Sequence, residues 1–421
     1  MPSPSRPLRV ALDVRVPAGQ WGGIQQMVEG LARGLGRLRG DDEFVFIGFE
    51  DAAAWLDPLL TGRCRRVEVP RSHARSKRRR LYDTLVARAP AAARVVATVG
   101  HRLGRVATPI PRSDGLLESL NVDAVHFVTP QAYLTSVPSV YQVMDLLHEH
   151  LPEFFSPLHR RYRQEAYRVF ADQAALVSTM AEWTRADLAA RMALPRSKVA
   201  VVPLPPAVTP ATIRPEQPKD FEVPAGPFIL YPAQTWPHKN HILLVEAIGR
   251  LRDEGVAISL VCTGRLTEHH EVILRRVEAL GLGDRVRFLG YVEQAHIAWL
   301  YQHAAALVFP SRFEGWGFPV VEAFAWDLPV ACSSIAVLEE ATHDGALRFD
   351  PLDPADMAGA IRRVVEDDAL RERLRAAGRR RLADLSWDRA AGTFRALYRR
   401  AAGLPAADED IALLAPPTLV A

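Results

Sequence analysis

Two hydrophobic patterns alternate along most of the chain. Short apolar runs, typical of buried strands, are separated by longer segments in which apolar residues recur every three or four positions, as on one face of a helix. Such alternation predicts parallel sheets with helices on both faces. In the first half, the strand-like runs are residues 8–15, 44–49, 124–128, 139–146 and 175–180, and the clearest helical pattern spans residues 24–38.

The same pattern starts again after a proline-rich segment. Seven prolines lie from Pro203 to Pro224, and because proline lacks an N–H group and interrupts regular structure, they predict a linker. Further strand-like runs follow at residues 228–233, 259–266, 286–292, 307–309 and 329–334. We therefore predict two doubly wound domains, residues 1–204 and 223–385, joined by a linker at 205–222 and followed by a final segment at 386–421 that begins with a helix.

One segment combines a strand, a glycine-rich turn and a helix start. Residues 308–329 read VFPSRFEGWGFPVVEAFAWDLP, with Pro319 where a first helical residue is expected. The N–H groups of Gly317, Phe318 and Val320 are expected to lack intrahelical partners, and the helix dipole adds partial positive charge there. The turn therefore favours an anionic group such as a phosphate.

Two carboxylates bracket this turn. Glu314 lies on the loop, and Glu322 is expected in the first helical turn, where the dipole favours its ionised form. Ionised carboxylates accept hydrogen bonds from vicinal hydroxyls, so a pair on either side of a phosphate site suits a nucleotide sugar. Taken alone, Glu322 also fits a structural residue at a helix start.

Composition narrows the class of protein. A chain of 421 residues, nearly half of them hydrophobic, is long enough for two globular domains of roughly 200 residues. Neither a signal-peptide pattern nor an apolar stretch of about 18 residues is present, so we expect a cytoplasmic protein. Three widely spaced cysteines, Cys64, Cys262 and Cys332, argue against a disulfide framework or a zinc site and are expected to be small buried residues.

Positive charge is concentrated in one segment. Residues 63–112 contain fourteen Lys and Arg against two acidic residues, although the whole chain carries only +3. One interpretation is a solvated loop, because charge runs are usually that. The other is a surface that meets anionic lipid headgroups or a lipid pyrophosphate, with the protein peripheral on the inner face of the cell membrane. Nucleic acid is not expected, since the segment is poor in aromatic residues for base stacking.

Polar residues also follow other predicted strands, which is where open α/β sheets bind ligands. Gly22 and Gly23 open the first helix and leave its N-terminus uncovered, although a tight turn explains the pair equally well. Lys239 precedes a helix, against the dipole, which indicates either an anionic ligand or an exposed lysine. Arg265 follows a third strand. Beyond residues 139–146 the candidates are Asp145, His148, Glu149 and His150.

The segment EGWGFPVVE resembles the E-x7-E signature of the retaining GT-B glycosyltransferases of family four, and a similar order of motifs runs from Gly22 to Trp387. The resemblance implies two Rossmann-like domains that face each other across a cleft, the first ending in a strand at residues 199–204. The helix after residue 386 is expected to cross back onto the first domain. The resemblance also implies that Glu314 contacts the transferred sugar and Glu322 the nucleotide ribose. The donor-binding residues under this resemblance are Gly22, Gly23, Gln234, Lys239, Arg265, Tyr291, Glu314, Gly315, Trp316, Gly317, Phe318 and Glu322.

Two positions depart from the family pattern. Met144 stands where many relatives have a histidine that contacts the transferred sugar. His148, four residues on, is either its replacement or a surface histidine that caps a loop. Gln234 stands where an arginine joins the lysine in gripping the pyrophosphate, which leaves this role to Lys239, helix N-termini and Arg265. The catalytic set under the resemblance is Glu314, Lys239, Asp145 and His148.

The predicted reaction is transfer of a sugar, such as mannose or rhamnose, from a nucleotide diphosphate donor to a hydroxyl of a glycan or lipid-linked acceptor. Retention of configuration fits the absence of paired carboxylates placed to flank an anomeric carbon. No Asp-x-Asp ends a strand, so we expect neither a metal ion nor a cofactor. One alternative is a nucleotide-sugar epimerase of the same architecture. The other is a non-catalytic glycan or lipid binder, and the departures at Met144 and Gln234 favour this second alternative.

Overall fold

The structure is a computed structural model that describes residues 6–15, 22–50, 53–70, 110–219, 222–405 and 412–413. Its named strands form two sheets of seven and six strands, and every pairing between them is parallel. Parallel neighbours need crossover connections, and helices supply most of them. We call the first sheet with its helices the N-terminal unit and the second the C-terminal unit.

The N-terminal sheet has seven strands, which are β1 (Arg9–Asp13), β2 (Glu43–Phe49), β3 (Cys64–Val69), β4 (Ala124–Phe127), β5 (Ser139–Gln142), β6 (Leu176–Thr179) and β7 (Val199–Val201). Their order is β3-β2-β1-β4-β5-β6-β7. The chain winds outward from β1 in one direction and then in the other. Because crossovers are right-handed, this reversal places helices on both faces of the sheet.

The C-terminal sheet repeats this arrangement with β8 (Phe228–Pro232), β9 (Ser259–Thr263), β10 (Val286–Phe288), β11 (Ala306–Phe309), β12 (Val330–Ser333) and β13 (Ala346–Phe349). Its order, β10-β9-β8-β11-β12-β13, reverses next to β8. Every residue of β11 and β12 is buried, as expected for strands covered on both faces. The predicted fold class, two doubly wound α/β sheets of the GT-B type, is confirmed.

Helices cover the sheets, and in the amphipathic helix Pro354–Glu366 the buried residues Met357, Ala358, Ala360, Ile361 and Val364 recur at helical spacing. In the N-terminal unit the helices are α1 (Gly23–Arg37), α2 (Leu116–Ser119), α3 (Leu147–His150), α4 (Pro157–Gln173) and α5 (Glu182–Met192). The later helices are α6 (His241–Asp253), α7 (His270–Ala279), α8 (Gln294–His303), α9 (Phe318–Ala325), α10 (Ala336–Thr342), α11 (Pro354–Glu366), α12 (Asp368–Ala383) and α13 (Trp387–Ala401).

Several strands are shorter than the apolar runs that predicted them. The run at 139–146 pairs only as far as Gln142, and the run at 259–266 only as far as Thr263, because the chain then leaves the sheet at its carboxyl edge. Two strands, β3 and β13, were not predicted. Both lie at sheet edges, where half-exposed positions accept arginine and the apolar alternation is weak.

The segment between β7 and β8 contains no helix or strand among its described residues. Three tryptophan side chains of the C-terminal part of the chain bind its backbone, since each indole N–H donates to a carbonyl there. The three bonds are Trp316 to Leu204 (2.9 Å), Trp387 to Pro206 (3.0 Å) and Trp326 to Val208 (3.2 Å). The proline-rich segment is thus held along five consecutive residues.

Helix α13 packs on the N-terminal unit, against α1 and beside β4 and β5. The hydroxyl of Tyr398 lies 2.8 Å from Nδ1 of His126, which is fully buried in β4. Arg399 forms a buried ion pair with Asp42 at 2.9 Å. The last helix therefore completes the core of the first unit.

The three cysteines are free. Cys262 and Cys332 are buried in central strands, as expected, whereas Cys64 is only half-buried because β3 is an edge strand. No helix in the described ranges is long and apolar enough to cross a membrane. Most of the predicted basic segment, residues 71–109, lies outside the described residues.

Glycine at position 30 lets α1 accept the indole of α13. A Cβ added to Gly30 would lie 1.9 Å from the ring of Trp387. We expect Gly30→Ala to lower the free energy of unfolding by about 1–3 kcal/mol, because the two helices must separate.

Gly359 on α11 is the matched control, because a Cβ there would meet no atom within 4 Å. Gly359→Ala should raise the free energy of unfolding by about 0.5–1 kcal/mol through helix propensity. Urea unfolding of both variants measures the contrast, and equal shifts in the same direction would contradict the packing argument.

Candidate active site

Loops at the carboxyl ends of the two sheets meet across a cleft. A Cβ added to Gly315, after β11, would lie 2.3 Å from the carbonyl oxygen of Met144, after β5. One added to Gly23, after β1, would lie 2.8 Å from the ring of Phe318. These close approaches require glycine. Segments from both units therefore enclose one site, and the predicted residues at 315 and 318 lie on its C-terminal side.

A largely buried ion pair lies in this site. Lys239 ends a 3₁₀ turn after β8, and its carbonyl accepts a hydrogen bond of 2.7 Å from the Tyr231 hydroxyl. Its Nζ lies 2.5 Å from Oε1 of Glu314, and the two side chains are 19% and 10% exposed. The structure thus brings together two of the predicted catalytic residues. An incoming diphosphate would compete with Glu314 for the ammonium group.

The glycine-rich turn starts α9 one residue earlier than expected. Gly317 is the N-cap with φ 95°, a left-handed conformation that favours glycine, and Phe318 rather than Pro319 is the first helical residue. The N–H of Val320 donates to the carbonyl of Gly317 at 2.9 Å, so the prediction that this group lacks a partner is wrong. The first turn closes as a tight i→i−3 bond and offers fewer free N–H groups to an anion.

Glu322 is more buried than its predicted role suggests. It is the fifth residue of α9, past the first turn, and is 3% exposed. The Tyr301 hydroxyl donates to its Oε2 at 2.6 Å, whereas its Oε1 has no hydrogen-bond partner among the described residues.

The ionisation of this carboxyl group also depends on its burial. Burial raises the pKa of Glu322 to about 7, the neighbouring groups of Tyr301 and Gln26 oppose that shift, and the nearby Glu29 adds to it. Burial therefore opposes the ionised form that the helix dipole was predicted to favour.

Helix α1 presents a polar face to the C-terminal unit, which sequence reasoning missed. Glu29 is 4% exposed and accepts two hydrogen bonds, of 2.8 and 2.9 Å, from the amide of Gln294 in α8. Gln25 donates to the same carboxylate at 3.1 Å, and Gln26 lies beside Glu322. The sequence did contain a signal for this face, because Glu29 is a charged residue among the apolar positions of α1.

A second contact between the units lies at the start of α5. Glu340 of α10 accepts hydrogen bonds from the backbone N–H groups of Glu182 (2.6 Å) and Trp183 (2.9 Å). A carboxylate at a helix N-terminus is favoured by the dipole and by the free N–H groups there. The C-terminal unit therefore caps a helix of the N-terminal one.

A further cation, also missed, follows β1. Arg15 makes two hydrogen bonds to Asp13, of 2.9 and 2.6 Å, and its guanidinium lies 5.0 Å from the centre of the Tyr133 ring. Burial lowers the pKa of Arg15, but the bonds to Asp13 outweigh it and the pKa is raised overall. The carboxyl edge of the N-terminal sheet thus carries a fixed positive group that is paired with a carboxylate.

Asp145 lies in the cleft and has a structural partner. Its Oδ1 accepts the N–H of Leu147 at 2.8 Å, which shapes the turn into α3. Its Cβ would lie 3.4 Å from a Cβ added at Gly315. Asp145 is therefore adjacent to the loop that carries Glu314.

His148 does not take the place expected of it. Its side chain is 1% exposed, with its ring 5.0 Å from that of Tyr167 on α4, and burial lowers its pKa to about 4. The main chain of Met144, and not His148, contacts Gly315. A neutral, covered imidazole offers no nitrogen to a ligand in this conformation.

His150 instead reaches the other unit. Its ring lies 4.9 Å from that of Phe313, the residue before Glu314, and its Nε2 lies 2.7 Å from Asp187. The Arg191 guanidinium is 3.5 Å from its Nδ1. With both ring nitrogens engaged, His150 serves the contact between the units.

The predicted donor residues after β8, β9 and β10 share one edge of the C-terminal sheet. The N–H of Gly264 donates to the carbonyl of Gly290 at 2.7 Å, and the N–H of Thr235 donates to the carbonyl of Arg265 at 3.2 Å. The side-chain oxygen of Gln234 accepts the indole N–H of Trp236 at 2.8 Å. Tyr291 is 53% exposed and Arg265 is exposed as well.

The remaining predicted residues divide between the cleft and the linker. Gly22 is exposed as the N-cap of α1. Trp316 is buried, and its indole binds the linker carbonyl of Leu204. Because the side chain of Trp316 is buried against the linker, it cannot contact a sugar donor in the cleft.

Part of the chain is similar in sequence to known proteins. Residues 213–381 match the family model described as "Glycosyl transferases group 1". The chain is 27% identical over 243 residues to "O-antigen chain mannosyltransferase B" of Escherichia coli. This alignment covers 56% of this chain and 64% of the relative. The chain is 35% identical over 138 residues to "O-antigen chain mannosyltransferase RfbU" of Salmonella typhimurium, and this alignment covers 32% of this chain and 38% of that relative.

The whole fold is similar to that of a solved glycosyltransferase. A crystal structure of a glycosyltransferase from Rickettsia africae aligns with a TM-score of 0.63 and 16% identity, over 94% of this chain and 99% of the other. At that identity the likeness establishes the GT-B architecture alone. The chain spans less than two thirds of the length of both curated relatives.

The raised pKa of Glu322 makes a pH-dependent prediction. Because the folded-state pKa lies above the unfolded value, ionisation favours the unfolded chain, and the wild type loses stability as pH rises from about 4.5 to about 7. Glu322→Gln removes this titration and keeps an acceptor for Tyr301. It should therefore be more stable than the wild type at pH 8, by on the order of 3 kcal/mol, and nearly equal to it at pH 4.5.

Thermal melts of both proteins from pH 4.5 to 8 measure this difference. Glu278→Gln, at an exposed position on α7, controls for a general loss of charge. A stability difference for Glu322→Gln that stays constant across this range would contradict a buried, titrating carboxyl group.

Proposed function

We propose that this protein is a glycosyltransferase that moves a sugar from a nucleotide diphosphate donor to a hydroxyl of a glycan or lipid-linked acceptor. The single observation that carries the proposal is the enclosure of Glu314, Lys239 and Glu322 between the carboxyl ends of two doubly wound sheets. Such crevices are where open α/β sheets bind ligands. The relatives described above carry transferase names, which favours transfer over epimerisation.

Charge distribution suggests how the donor is held. Lys239 and the start of α9 offer positive charge to a diphosphate, and Glu314 and Glu322 offer acceptors to hydroxyls. The exposed ring of Tyr291 offers a surface on which a base can stack. Gln234 supplies no charge, so Lys239 carries most of the interaction with the leaving group. Catalysis then rests on positioning and on stabilisation of the departing diphosphate.

We propose that transfer retains the anomeric configuration and needs no metal ion. The departing diphosphate takes the acceptor's proton on the face where the new bond forms, and no protein base is required. Among the described residues, no three His, Cys, Asp or Glu side chains are grouped to hold a metal. The names of the two O-antigen relatives support mannose as the first sugar to test, and the basic segment supports an acceptor presented at an anionic membrane surface.

The test is a thermal-shift screen of guanosine, uridine and thymidine diphosphate sugars, followed by turnover with the stabilising donor. We expect stabilisation by one donor class, a product that keeps the donor's anomeric configuration by NMR, and unchanged turnover in EDTA. Turnover that EDTA abolishes and magnesium restores would refute metal independence. Isomerised donor formed without acceptor would instead identify an epimerase.

Glu314→Gln tests the ion pair with Lys239. Because the amide keeps the shape but loses the charge that orients both the lysine and the sugar, we expect kcat to fall by about 100-fold or more with folding retained. Glu366→Gln, at the exposed end of α11, is the matched control. If Glu314→Gln keeps the wild-type kcat, Glu314 has no role in catalysis.

A further inference from the structure

Two buried oxygen atoms in the cleft lack hydrogen-bond donors. One is Oε1 of Glu322 on α9, and the other is Oε1 of Gln26 on α1, and neither has a partner among the described residues. Leaving such acceptors unpaired costs free energy, so the unpaired atoms indicate where a ligand's donors belong.

The two side chains come from opposite units and lie next to each other. The amide of Gln26 is close enough to Glu322 to oppose the rise in the carboxyl group's pKa. The neighbouring residues fix this geometry from both sides. Gly23, three residues before Gln26, is in contact with Phe318, and Glu29, three residues after it, binds Gln294.

A vicinal diol has the chemistry that this pair of acceptors lacks. Each of its hydroxyls donates one hydrogen, so one can bind Glu322 and the other Gln26, while the amide N–H of Gln26 donates back. A diphosphate ester offers only acceptors at neutral pH and has no hydrogen to donate to either oxygen. The required ligand group is therefore a neutral diol.

We propose that Gln26 is a donor-binding residue of the N-terminal unit, and that it shares the ribose diol of the nucleotide with Glu322. This inference rests on the proposed function, because it assumes a nucleotide donor in the cleft. The ribose then contacts both units. Since both oxygens are covered in this conformation, the diol enters when the units separate, and binding draws them together around it.

The test compares variants with nucleotides that lack one hydroxyl. Calorimetry with uridine and guanosine diphosphates, in ribo and 2′-deoxy forms, identifies the bound base and the contribution of the diol. Gln26→Ala should weaken binding of the ribonucleotide about five- to tenfold, the effect of one lost hydrogen bond. It should change binding of the 2′-deoxy form less than twofold. Gln302→Ala, an amide loss at an exposed position on α8, should leave both affinities within twofold of wild type.

Gln26→Met keeps the side-chain length without the amide and replaces the alanine variant if that one does not fold. Equal losses for ribo and 2′-deoxy nucleotides, unchanged affinity, or tighter binding in the Gln26 variants would each overturn the inference and leave the proposed function intact. If the wild type binds no ribonucleotide, the proposed function is wrong, and the role inferred for Gln26 is wrong as well.

Discussion

Three indole hydrogen bonds hold the proline-rich segment between the two sheets against the C-terminal part of the chain. A proline-rich segment cannot pair its carbonyls with its own missing N–H groups, and buried carbonyls without partners are costly. The indoles of Trp316, Trp387 and Trp326 supply those donors from three different elements of the C-terminal part of the chain. Because Trp316 lies between Gly315 and Gly317, the same turn holds the linker on one side and encloses the cleft on the other.

The cleft contains more acidic groups than an anion-binding site requires, and their partners explain how the fold tolerates them. Glu314 is neutralised by Lys239, Asp13 by Arg15 and Glu29 by the amide of Gln294. Glu322 has only a hydroxyl and an amide nearby and shows the consequence in its raised pKa. Glu322 thus lacks a charged partner among the described residues, and it is the carboxyl group that the family resemblance assigns to the nucleotide ribose.

Sequence patterns predicted the architecture well, because long runs with period two or 3.6 report burial directly. They placed β1, β2, β8 and α1 within about one to two residues and located the turn around Gly317. They missed what depends on tertiary contacts. The edge strands β3 and β13 lack a strong pattern, and the covering of His148 and Glu322 depends on α4 and α8, which pack against them from elsewhere in the chain. Gln26 became visible only when α1 and α9 were seen face to face.

Helix α13 has a consequence for biosynthesis. The hydroxyl that meets His126 and the guanidinium that meets Asp42 both belong to this helix, which ends twenty residues before the end of the chain. While the ribosome is still making the C-terminal unit, the first unit has a buried histidine and an acidic side chain without these partners. The N-terminal unit therefore reaches its native packing only after α13 has been synthesised.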